Sequence, residues 1–148
     1  MTEETAMVAI AHSIQLAVAP VFLLSGIAAI LVVMTNRLAR IVDRARIIEA
    51  RTPPNPHVAG AIRDELDRLS RRAKLISVSI TLSTVTALLV AAVIALLFIS
   101  AFLSFDATVP VALTFTAAML AFVVALLAFL REVLLATTNL RFGPHADA

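Results

Sequence analysis

The sequence contains no cysteine, which excludes disulfides and thiolate metal sites and leaves the redox compartment unmarked. Its histidines, His12, His57 and His145, lie far apart along the chain and do not form a metal-ligand set. The GxSxG, HExxH, phosphate-loop and dinucleotide-binding patterns are all missing, so no reaction centre or cofactor is expected. The most consequential absence is of charge. Ser13 to Asn36, Leu75 to Phe105 and Ala107 to Leu130 hold no Asp, Glu, Lys or Arg. Proton relays, ion-coupled transporters and voltage sensors need charge within the membrane, and these stretches supply none.

What remains is apolar. Of 148 residues, 61% are hydrophobic and only 15% charged, at a mean hydropathy of +1.00, more apolar than a soluble domain of this length could cover with polar surface. Each uncharged stretch exceeds the roughly 20 helical residues that a hydrocarbon core requires. None shows the polar alternation of a barrel strand. The expected fold is all-α, a single membrane domain over 1–148 with three transmembrane helices at 13–36, 76–104 and 107–130. An N-terminal tail (1–12), a helical hairpin (37–74, turning at 52–57) and a C-terminal tail (131–148) complete it. The start Met1-Thr2-Glu3-Glu4 is acidic where a signal peptide needs basic residues, so the first span is expected to be retained.

All 12 basic residues should share one side of the membrane. Arg37, Arg40, Arg44, Arg46, Arg51, Arg63, Arg68, Arg71, Arg72 and Lys74 lie between the first two spans, and Arg131 and Arg141 follow the third. The opposite side offers only Glu3, Glu4 and Asp106. Because cytoplasmic loops retain Lys and Arg, the N-terminus is expected outside and the C-terminus in the cytoplasm. The pI of about 10.4 would fit nucleic acid, but Asp43, Glu49, Asp64, Glu65 and Asp67 offset half the charge of the basic segment, which has no aromatic residue to stack on bases. A lipid surface is the expected partner, and nucleic acid is not.

Between the first two spans the chain keeps helical periodicity. Met34, Leu38, Ile41, Ala45 and Ile48 form one apolar seam, and Ile62, Leu66, Leu69, Ala73 and Ile76 another. Pro53 and Pro54 stop the first helix, Asn55 can cap the second, and Pro56 suits its first turn. Folding the seams together predicts that Arg44 meets Glu65, that Glu49 meets Arg63, and that Arg37 and Arg72 approach at the membrane surface. Two like charges there require an anion, and an anionic lipid headgroup is the expected one. The seams can close within one chain or between subunits of a homo-oligomer.

Within the first span, Pro20 removes a backbone hydrogen bond and frees the carbonyl of Leu16. Gln15 and that carbonyl form either a polar vestibule or an ordinary interhelical contact, with Gly26 permitting close packing. In the second span Ser77, Thr81 and Thr84 share one face while Ser79, Ser83 and Thr86 share another. These hydroxyls either line an aqueous path or bond the carbonyl a turn behind them. Rows of alanine (87, 91 and 95; 117, 121, 125 and 128) are suited to close approach of helices in lipid. Arg131 and Glu132, ending the third span, are read as interfacial anchors.

The run "IQLAVAPVFLLSGIAAILVVMTNRLARIVDRAR", with a weaker echo at "LREVLLATTNLR", resembles an uncharacterised bacterial integral-membrane family of unknown function, the one numbered 2721. The resemblance implies a small multi-spanning protein of the bacterial cytoplasmic membrane and brings no catalytic residues with it. It singles out Pro20, Gly26, Asn36, Arg37, Arg40, Asp43 and Arg44. Together with Gln15, Glu65 and Arg72 these are the candidate functional or interaction residues. The leading expectation is a non-enzymatic homo-oligomer whose cytoplasmic hairpin mediates assembly or docks a cytoplasmic protein partner. The alternatives are a pore passing small anions past an arginine-lined inner mouth, and a lipid-modifying enzyme.

Overall fold

In the computed structural model the chain is three long helices, described over residues 3–50, 56–103 and 106–138. Helix α1 runs Glu3–Glu49, α2 Pro56–Leu103 and α3 Thr108–Thr138. The expected hairpin turn at Pro53, Pro54 and Asn55 lies outside the described residues, as does the tail beyond 138. Pro56 does open α2, where its missing N–H costs no helical bond.

The spans and the charged segments are not separate elements. Helix α1 has 47 residues and α2 has 48, each about 70 Å long at 1.5 Å per residue, more than twice the roughly 30 Å of a hydrocarbon core. The backbone has no reason to break where the charge begins, since Arg and Lys are good helix formers and no Gly or Pro stands at that boundary. Helix α1 likewise continues back through the expected N-terminal tail to Glu3, and α3 passes Leu130 to Thr138. Each helix holds an apolar stretch long enough to cross a membrane. Their outward side chains fit a hydrocarbon solvent: Phe22 is 73% exposed and Leu120 64%. Such side chains cover long stretches of all three helices, far more than a water-soluble surface carries.

Helix α2 packs against both α1 and α3. Two apolar clusters hold the helices together. One consists of Met34, Ile41 and Ile48 of α1 against Leu69 and Ile76 of α2, with Leu38, Ala45, Ile62, Leu66 and Ala73 packed around it. The two predicted seams therefore close on each other within one chain. The second cluster joins all three helices at Ile27, Val90 and Ala118. Of the two hydroxyl faces of α2, the one bearing Ser79, Ser83 and Thr86 is fully buried, and Ala118 and Ala125 are the buried small residues of α3. Ala91, Ala95 and Ala117 point outward. Small residues at the buried contacts let backbones approach where packing, not water exclusion, drives association.

The start of α3 is capped by Asp106, whose Oδ1 accepts a hydrogen bond from the backbone N–H of Thr108 at 2.9 Å. The first helical bond, from Val111 N–H to the Ala107 carbonyl, follows at 2.9 Å. Bonding from Thr108, through its side chain and its backbone, holds the exposed Asp106 carboxyl below its ordinary value of 3.8.

Candidate functional site

Among the described residues, one electrostatic site joins all three helices, a carboxylate held between two arginines. Glu132 of α3 is fully buried. Arg72 of α2 donates to its Oε1 from Nε at 3.2 Å and from Nη2 at 2.9 Å. Arg37 of α1 brings Nη2 to 3.2 Å from Oε2 and sets its guanidinium over the Phe129 ring, 5.5 Å from the centroid. Oε2 accepts no hydrogen bond among the described residues, so the Arg37 contact is one of charge and stacking without donor alignment. Each helix contributes one member of this triad. Phe129 and Glu132 are three apart on α3 and therefore share a face.

The predicted approach of Arg37 and Arg72 is thus correct, and the Glu132 carboxylate lies between them as an anion supplied by the chain itself. The reading of Glu132 as an interfacial anchor is corrected, because a side chain with no exposure anchors nothing to water. Sequence reasoning missed it because nothing local shows which face α3 turns toward α1 and α2. The one signal available was the pair of like charges itself, which required an anion without saying that the chain supplies it.

Further along the α1–α2 pair, Arg44 donates to Glu65 Oε1 from Nη2 at 2.9 Å and from Nε at 3.3 Å, the pairing that the seam register predicted. Arg37 lies seven residues before Arg44, and Arg72 seven after Glu65, so one antiparallel register serves both contacts. Among the described residues Glu49 and Arg63 form no ion pair, and that part of the register prediction is not met.

The other candidate residues separate into two groups. Asn36, Arg40 and Asp43 are exposed on α1 near the triad. Gln15, Pro20 and Gly26 lie on its N-terminal half, away from the charged cluster. Pro20 is buried and, with Leu16, Val93, Leu97 and Phe115, lines an open, mainly apolar cleft of about 600 Å³. Gln15 is exposed and outside that lining. A Cβ added to Gly26 would meet nothing within 4 Å, so this glycine serves no close helix contact within the chain.

Four of the α2 hydroxyls follow the ordinary reading. Thr81, Thr84, Thr86 and Ser79 each donate to the carbonyl four residues back, at 2.9 to 3.0 Å. Ser83 points at Met34 Sδ, 3.9 Å away. Among the described residues no group of three or more His, Asp or Glu is placed to hold a metal ion.

Comparison with curated proteins and with solved structures gives no match. A family does match, over nearly the whole of the three helices and thus well beyond the run that first indicated it. Residues 17–142 fit the family described as protein of unknown function (DUF2721), and the chain belongs to that family.

Proposed function

We propose that the protein is a non-enzymatic component of the bacterial cytoplasmic membrane, with its N-terminus outside and its C-terminus inside. In this reading the paired, charged halves of α1 and α2 form a rod projecting into the cytoplasm, where it assembles copies of the chain or docks a cytoplasmic protein. The observation that carries the reading is the closure of the apolar seam within one chain, Met34, Ile41 and Ile48 against Leu69 and Ile76. With its seam occupied, the rod is self-supporting and offers its outer surface to a partner. That surface bears Asp43, Arg46, Arg63, Asp64, Asp67, Arg68 and Arg71, and among them the exposed Ile47. Orientation rests on the basic residues, of which the described ones, Arg37 to Arg46, Arg63 to Lys74 and Arg131, fall beside one end of the bundle. A non-enzymatic role is supported by the engagement of the buried carboxylate with two arginines and of the buried hydroxyls of Ser79 and Thr86 with backbone carbonyls.

Two measurements test the proposal. Thr2→Cys and Ala146→Cys variants are probed on intact cells with an impermeant thiol reagent, and only the first should label. A photocrosslinking residue at position 47 or 63 should then yield discrete adducts, either with a second copy or with one cytoplasmic protein. Labelling of the Ala146→Cys variant from outside would overturn the orientation, and no adduct from either position would overturn the docking role.

A further inference from the structure

Beside the triad lies an open cleft of about 400 Å³ lined by Arg37, Arg40, Ile41, Arg44, Leu69 and Arg72. Four arginines line it, and among the described residues the Glu132 and Glu65 carboxylates are their only ion-pair partners, which leaves an excess of two positive charges. Three of the four arginines are held in place: Arg72 by two hydrogen bonds to Glu132, Arg44 by two to Glu65, and Arg37 by Phe129 and the charge of Glu132. Arg40 is exposed and makes no ion pair among the described residues. Arg37 also retains its donors, since Glu132 accepts no hydrogen bond from it. The buried Ile41 and Leu69 belong to the packed seam, so the charged groups stand on a rigid base.

We infer that this cleft binds a phosphate group. Guanidinium forks match the oxygens of a phosphate geometrically, and arginines already held in place lose little freedom in binding it. Two uncompensated charges suit a phosphate ester better than a single carboxylate. The cleft lies where the uncharged runs 13–36 and 75–105 give way to charge, the depth of lipid headgroups. A lipid phosphate and a soluble phosphate ester offer the same chemistry, and the inference does not depend on the hairpin's role in docking.

The test is native mass spectrometry of the full chain in detergent with phosphatidic acid, with phosphatidylcholine, and with glycerol 3-phosphate as competitor. Phosphatidic acid should be retained and phosphatidylcholine lost. Arg40→Gln, which removes an exposed and unpaired group, should weaken retention about tenfold, the effect of one charge-assisted contact. Arg63→Gln, with the same loss of charge outside the cleft, should leave it nearly unchanged. Displacement by glycerol 3-phosphate assigns the cleft to free phosphate esters, and failure to displace assigns it to the lipid headgroup. Equal weakening by Arg40→Gln and Arg63→Gln, or no retention of phosphatidic acid by the unaltered chain, overturns the inference.

Discussion

Glu132 sits where two guanidiniums would otherwise face one another, and the environment of all three groups is partly dry: the carboxylate is fully buried, and the Arg37 and Arg72 side chains are 31% and 25% exposed. Burying such charges is costly, and the cost is offset only while every partner is present. Removing the acid leaves two partly buried cations in repulsion, which is worse than never having buried them. Glu132→Gln keeps the shape and removes the charge. It should lower stability by on the order of 3 kcal/mol, measured as a shift in equilibrium unfolding of the detergent-solubilised protein. An unchanged unfolding midpoint would show that the triad contributes little. Of this site, the sequence made Arg37 and Arg72 legible, because hairpin register follows from two seams of fixed period. Glu132 was not legible, because the path of α3 past α1 and α2 is set by packing among Ile27, Val90 and Ala118, which one-dimensional periodicity does not record.

At the scale of the helices, the Arg44–Glu65 pair reports on register more than on strength. Both side chains are about half exposed, at 55% and 46%, so solvent screens most of their attraction. A double-mutant cycle with Arg44→Ala and Glu65→Ala should give a coupling of about 0.2 to 1 kcal/mol, and zero coupling would disfavour this register. The cap of α3 is tested by pH. Because the folded-state value of Asp106 is lowered, its contribution is complete above the ordinary value of 3.8 and is lost as pH falls through and below it. Between roughly pH 5 and pH 2, Asp106→Asn should therefore lose less thermal stability than the unaltered chain, and parallel pH profiles would contradict the role of the ionised cap. The helices were legible from their apolar runs, but their continuity was not. A change from apolar to charged residues at Asn36 and Arg37 marks a change of solvent, and the backbone passes through it without a break. The seam itself crosses that boundary, with Met34 on one side and Ile41 on the other.

For the molecule as a whole, two driving forces act on one pair of helices. Where charged residues surround the α1–α2 seam, water excludes Ile41, Ile48 and Leu69 from its surface, and each such burial is worth about 1.5 to 3 kcal/mol. Within the apolar stretches lipid offers no such drive, and small residues such as Ser79, Ser83, Ala118 and Ala125 fill the contacts instead. The sequence alone determined that the chain is helical, that it has three candidate membrane spans, and that α1 and α2 pair along their seams. Composition and period suffice for these because each depends on residues close together in the chain or on the solvent they require. Only the tertiary structure decided that the seam closes within one chain, that Glu132 is the anion between Arg37 and Arg72, and that four arginines gather around one cleft. Those contacts join residues on different helices, and their geometry is set by how three rods pack.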